Sequence, residues 1–150
     1  MQFEQIEHIE IRAIKFGSSE YKAGLTLRNE VLRLPLGLIL SEKDTSTDTT
    51  DVHFGAFIDS KLVGCLMLRA NSPTQVQMRQ VAVDPGFHGK GIGRKLVEAF
   101  EKRAREIGAR EVVMDARQTA RNFYEKLGYS TTSDQYIQST IPHFKMCKAL

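Results

Sequence analysis

Between Val76 and Phe100 the chain reads VQMRQVAVDPGFHGKGIGRKLVEAF, an order of residues that few folds accommodate. The apolar run Val81-Ala82-Val83 is halted by Asp84-Pro85-Gly86. Beyond the next glycines, Ile92, Leu96, Val97, Phe100, Ala104 and Ile107 recur at the spacing of one helical face. The stretch predicts a strand, a loop and a helix. The loop His88-Gly89-Lys90-Gly91-Ile92-Gly93 offers backbone N–H groups unobstructed by side chains, where a helix N-terminus leaves donors unpaired and carries partial positive charge. Such a turn binds anions, phosphate most often.

Two common nucleotide loops do not match it. A Walker loop closes with Gly-Lys-Ser/Thr, whereas Gly91 is followed by Ile92 and Gly93 by Arg94. A dinucleotide fingerprint started at Gly89 needs its third glycine where Arg94 stands, and one started at Gly91 needs it where Leu96 stands.

A chain of 150 residues suits one domain, residues 1–150, with a single proper core. Its 41% hydrophobic and 26% charged residues are globular proportions, and no apolar stretch approaches a membrane span. The start MQFEQIEHIEIRAIKF lacks a basic end followed by an apolar block, so no secretory leader is read and the expected location is cytoplasmic. Net charge is only +3, and the basic residues after the loop alternate with Glu98, Glu101 and Glu106 at helix-stabilising spacing. A nucleic-acid partner is not implied, nor is a membrane. Cys65 and Cys147 have no metal-ligand or redox spacing around them and read as small core residues, and no metal is expected.

In chain order, alternation around Ile9, Ile11 and Ala13 predicts a first strand. Ser18 or Ser19 then caps a helix with Tyr21, Leu25, Arg28 and Leu32 on one stripe, broken by Pro35 and Gly37. SEKDTSTDTTD, from Ser41 to Asp51, is wholly polar and reads as a mobile loop. Val52–Ile58 and Lys61–Arg69 form a hairpin about Asp59-Ser60. In the next strand apolar residues fall at 76 and 78, then at 81 and 83, a slip of phase that a β-bulge produces. Glu111–Ala116 is a further strand. Gln118–Leu127 is a helix burying Ala120, Phe123, Tyr124 and Leu127, and residues 129–150 form two last strands. The order predicts an α/β fold, a mixed sheet with helices on both faces.

HGKGIG is similar to the Gln/Arg-x-x-Gly-x-Gly/Ala motif of the GNAT family of N-acetyltransferases, with His88 at the Gln/Arg position. Asn122-Phe123-Tyr124-Glu125-Lys126-Leu127-Gly128-Tyr129 resembles that family's second signature, FYEKLGF. Within it the chain looks like the ElaA/YjcF subgroup, through LRNEVL, Asp51-Val52-His53, ARQTARNFYEKLGY and Ile141-Pro142-His143-Phe144-Lys145-Met146. It departs at Leu32, where Phe is usual, and at Gln80, where Arg is usual.

The resemblance implies acetyl-coenzyme A as co-substrate, without a metal, and a primary amine of a small molecule or peptide as acceptor. It implies a mostly antiparallel sheet whose fourth and fifth strands splay to receive the pantetheine arm. The pyrophosphate would lie against His88, Gly89, Lys90, Gly91, Ile92, Gly93 and Arg94, and the arm against Val81, Ala82 and Val83. Arg117 stands where the family often has a cofactor-binding Asn, with Asn122 nearby. Tyr124 is at the general-acid position, and a phenol can protonate a departing thiolate. His53, His143 and Glu30 are candidate bases, among which the sequence does not choose. Gln77 lies where some members carry a catalytic Glu, and an amide is no base. A non-catalytic acyl-coenzyme A sensor of the same fold is the alternative, and the oligomeric state, a homodimer included, stays open.

Overall fold

The structure, a computed structural model, describes residues 8–150; the leader reading of residues 1–7 lies outside them. Strand β1 (Glu10–Ile14) turns into helix α1 (Ser19–Arg28), capped by Ser18, whose hydroxyl accepts from the Tyr21 N–H. The helix widens into a π turn over Asn29–Arg33, tightens into a 3-10 turn over Leu34–Leu36, and stops at Gly37, whose φ of 72° is left-handed. Its buried face is Gly24, Leu27, Arg28 and Leu32; of the expected stripe Arg28 and Leu32 are buried, and Tyr21 and Leu25 are only partly so.

Strands β2 (Val52–Ile58) and β3 (Lys61–Ala70) are the expected antiparallel hairpin. Asp59 and Ser60, at φ 48° and 65°, supply the two left-handed positions of its tight turn. Then follow β4 (Gln75–Val83), α3 (Ile92–Glu106), β5 (Glu111–Arg117), a 3-10 turn (Gln118–Ala120) and α4 (Arg121–Lys126). Three strands rather than two close the chain: β6 (Ser130–Thr131), β7 (Tyr136–Gln138) and β8 (Ile141–Ala149). β6 and β7 share one edge of β8 at different heights, each too short to signal itself in the sequence. The sheet order is β1-β2-β3-β4-β5-β8-β6, antiparallel throughout except for the β4–β5 pair.

The sheet separates two apolar layers. The larger packs α3 through Ile92, Leu96, Val97, Phe100 and Ala104, together with Tyr124 of α4, against Val76, Met78, Val63 and Leu66. The smaller packs Leu27 and Leu32 against Cys65 and Ala82. In α4 only Tyr124 is buried; Phe123, expected in the core, is 36% exposed.

The slipped phase in β4 is a bulge. Cys65 pairs with Ala82 but Met67 with Arg79, so Gln80 and Val81 share the space opposite Leu66, and Gln80 takes a left-handed φ of 52°. The extra residue returns Val81 and Val83 to the face that Val76 and Met78 occupy. The β4–β5 ladder ends just before it: only Gln75, Val76 and Gln77 pair with Glu111, Val112 and Val113. The expected splay is present.

Residues 41–51, read as a mobile loop, are pinned. Ser41 and Asp44 form a capping box on the short helix α2 (Glu42–Thr45). Asp48, 1% exposed, pairs with the buried Arg28 at 2.7 Å and accepts from the Tyr21 hydroxyl at 2.6 Å. Asp44 pairs with Arg33 at 2.8 Å and Asp51 with Arg79 at 3.0 Å. The composition is that of a loop because every anchor is polar; the arginines that bind it lie elsewhere in sequence.

Removing Asp48 leaves Arg28 charged and buried without a carboxylate partner. Asp48→Ala is expected to lower unfolding free energy by about 3–5 kcal/mol in urea titrations at unchanged slope. A loss below about 1 kcal/mol would mean that the segment is not held by this pair.

Candidate functional site

Where β4 and β5 part, a cleft of about 570 Å³ opens through the sheet. Met78, Gln80 and Val81 of β4 form one wall, and Met114, Ala116 and Arg117 of β5 the other. Ala120 and Tyr124 close it on the α3 side, and Leu32, Arg33 and Lys43 on the α1 side. The edge of β4 facing the gap has no strand partner from Met78 to Val83, so the N–H groups of Val81 and Val83 on that edge are left to a ligand, while Ala82 between them is paired with Cys65 of β3.

At the end of β4 the glycine loop leads into α3. Gly91 is its N-cap, at φ 77°, a conformation that a side chain resists, and no side chain caps the first turn. The N–H groups of Ile92, Gly93 and Arg94 therefore face outward at the positive end of a 15-residue helix. A Cβ on Gly93 would sit 3.1 Å from the Phe123 ring, so the glycine also lets α4 close over that turn. His88 is exposed and braces the loop, its Nε2–H donating to the Val83 carbonyl at 3.2 Å.

Tyr124 is buried at the cleft wall, its ring edge-on to Phe123 and Tyr129. No hydrogen bond reaches its hydroxyl among the described residues, in contrast with Tyr129, whose hydroxyl donates to Glu101 at 2.9 Å. Burial raises the Tyr124 phenol well above its usual pKa, so it stays protonated at neutral pH.

The histidines do not converge. His143 lines the cleft, stacked on Tyr136, with Nδ1 2.9 Å from the Ile141 carbonyl. A carbonyl only accepts, so Nδ1 carries the proton and Nε2 of the neutral ring keeps the lone pair. His53 lies in a different place: its Nε2 donates to the Asp48 carbonyl at 2.8 Å, and its ring packs edge-on to Tyr21 beneath the pinned segment. Of the two candidate histidines only His143 lines the cleft, while the His53 ring is spent on holding the Asp48 carbonyl. Glu30 and Asn122 are exposed and line no part of the cleft. Arg117, expected beside the cofactor, turns to the α1 side and donates from Nη2 to the Leu32 carbonyl at 2.7 Å, a carbonyl set loose by the π turn.

The sequence did not point to Asp115. It faces the cleft, accepts from the Tyr136 hydroxyl and from Lys145 Nζ at 3.0 Å, and stays below the usual carboxylate range because those bonds outweigh its burial. The partners meet only through β7 and β8, so spacing carries no signal of the contact.

The profile of the Acetyltransferase (GNAT) family matches residues 23–129. The chain belongs to the GNAT family. A Bacillus subtilis protein named as an acetyltransferase is 29% identical over 96 residues, which is 64% of this chain and 65% of that protein. The chain thus aligns with just under two thirds of that relative's length. Escherichia coli ElaA superposes with a TM-score of 0.81 at 20% identity, covering 94% of this chain and 99% of that one. A GNAT family acetyltransferase from Elizabethkingia anophelis with acetyl-CoA bound gives 0.74 at 17% identity, covering 95% and 98%. At these identities the two structures establish the fold.

The cleft edge gives a pH test. The hydrogen bond from Arg33, opposed by burial, holds the Asp44 carboxyl at about 2 against its ordinary 3.8. A folded-state value below the unfolded one adds stability that is present above 3.8 and lost as pH falls through about 2. The stability advantage over Asp44→Asn is therefore expected to be constant at neutral pH and to shrink across that window. Urea titrations at stepped pH measure it, and a difference flat down to pH 2 would dissolve the Arg33–Asp44 link.

Proposed function

We propose that the protein transfers an acetyl group from acetyl-coenzyme A to a primary amine of a small molecule or peptide, by direct attack within a ternary complex. One observation carries the reading: an uncapped helix N-terminus stands at the end of a strand that has parted from its neighbour, and the cleft between them holds a buried tyrosine whose hydroxyl has no partner among the described residues. The fit is chemical. Phosphates need outward N–H donors at a positive helix end, and an extended amide-containing arm needs an unpaired strand edge.

Acetyl-coenzyme A supplies an acyl group already activated as a thioester. The N–H groups of Ile92, Gly93 and Arg94 bind its pyrophosphate, with the turns at Gly89 and Gly91 keeping side chains clear, while Lys90 and His88 border the loop. Backbone groups of Val81 and Val83 orient the arm and draw charge onto the acyl oxygen. His143 Nε2 takes a proton from the incoming ammonium, directly or through water, leaving a neutral nitrogen to attack. As the C–N bond forms and the C–S bond breaks, Tyr124 gives its proton to the leaving sulfur, and the proton shed by the attacking nitrogen passes through water to the phenolate, restoring the phenol and a neutral amide.

Thiol release from acetyl-coenzyme A against a panel of amines, with coenzyme A binding measured alongside, tests the reading. Tight binding without turnover on any amine would favour an acyl-coenzyme A sensor, and absence of binding would remove the loop assignment. Tyr124→Phe is expected to lower kcat by about 100-fold or more while coenzyme A affinity holds, because the proton is needed late on the path. Gly91→Glu should instead abolish coenzyme A binding and leave the fold intact by circular dichroism, since it sets a carboxylate against the pyrophosphate.

A further inference from the structure

The charges of the cleft do not cancel. Besides His143 and Tyr124, its ionisable lining is Arg33, Lys43, Asp44, Arg79, Asp115 and Arg117. Arg33 is taken up by Asp44 at 2.8 Å, Arg79 by Asp51 at 3.0 Å, and Asp115 by Lys145 and Tyr136. Two cations remain, Lys43 at the exposed rim and Arg117 on the half-buried wall, neither with a carboxylate partner among the described residues.

Arg117 is the informative one. It makes one hydrogen bond, from Nη2 to Leu32, so Nε and Nη1 keep their donors for something else. Burial, and then the charge of Arg33, lower its pKa, with no anion near to offset either. A guanidinium partly withdrawn from water without an anion is unfavourable unless a ligand brings one. The cofactor's pyrophosphate does not answer that need: α3 packs on the opposite face of the sheet from Leu32, which accepts from Arg117.

We infer that the acceptor is a primary amine that also carries an oxyanion, a carboxylate or a phosphate, which pairs with Arg117 on the α1 side of the cleft while Lys43 adds charge at the rim. The inference rests on the acetyl-transfer reading for the identity of the amine, but the oxyanion site is a property of the cleft itself. It carries a chemical consequence. Before an anion binds, Arg117 and Lys43 oppose an ammonium standing alone, and the acceptor's oxyanion offsets that repulsion by pairing with Arg117. Polyamines, without an anionic handle, are repelled.

Paired product probes test it by calorimetry, with and without saturating coenzyme A: N-acetylglycine against its primary amide, and N-acetyl-aminoethyl phosphate against N-acetylethanolamine. The wild type is expected to bind one anionic probe at least about tenfold more tightly than its neutral partner. The pair that shows the preference tells carboxylate from phosphate. Arg117→Gln keeps a donor for Leu32 and removes the charge, so it should abolish the preference while neutral-probe binding, coenzyme A affinity and thermal stability are unchanged. Equal binding of anionic and neutral probes, no binding of either anion at millimolar concentration, or a preference that survives Arg117→Gln overturns the inference. A loss of coenzyme A affinity in that variant would also overturn it, by returning Arg117 to the cofactor. Failure of the acetyl-transfer reading registers differently, as absent coenzyme A binding in the wild type whatever the probes do.

Discussion

The parting of β4 from β5 is the constraint on which the rest of the site depends. A parallel pair hydrogen-bonded along its full length would leave no cleft, no unpaired strand edge and no route through the sheet. Here the ladder ends after Gln77, and the bulge at Gln80 bends β4 away just past that point. A left-handed glutamine is unfavourable by about 1 kcal/mol or more, so its surroundings must over-determine it. They do so through Arg28: Nε donates to the Gln80 side chain at 3.3 Å, while Nη1 and Nη2 hold Asp48 and the Asp44 carbonyl. One buried guanidinium thus ties the bend in the strand to the segment that covers it.

That coupling explains why a wholly polar stretch can be ordered. Three aspartates of residues 44–51 each meet an arginine from another element, and Thr47 accepts from Arg69 and Arg79. Such pairs add little stability compared with an apolar packing of the same volume, since both charges must be stripped of water. What they supply is position. They set Arg33 and Lys43 at the cleft's edge, and they leave Arg117, which the π turn engages through the Leu32 carbonyl, outside the pairing scheme.

Features that depend on local pattern were legible in the sequence. The glycine turn, the period of α3, the Asp59-Ser60 hairpin and even the bulge follow from residues within a few positions of each other. Features that depend on partners far away were not. Nothing in SEKDTSTDTTD announces the arginines that bury it, and nothing local separates His53, spent on the Asp48 carbonyl, from His143, which lies in the cleft. Phe123 falls on an apolar spacing yet lies against Gly93 with part of its ring in solvent, since α4 is barely two turns long and one residue suffices to anchor it.

Tyr124 and Tyr129 show how the same side chain is given two tasks within one helix and its exit. Their rings meet edge-on at 5.8 Å, both are buried, and burial raises both phenols. Tyr129 donates to Glu101, which also accepts from Lys148, so its proton is fixed in a network that joins α3 to β8. A phenol bonded to a carboxylate in that way braces the fold and has no proton to lend. Tyr124, one turn earlier, keeps the burial without the carboxylate. Its hydroxyl is thereby held neutral by its surroundings and open on the cleft side, the combination that the proposed proton transfer to sulfur requires and that a purely packing tyrosine would not need.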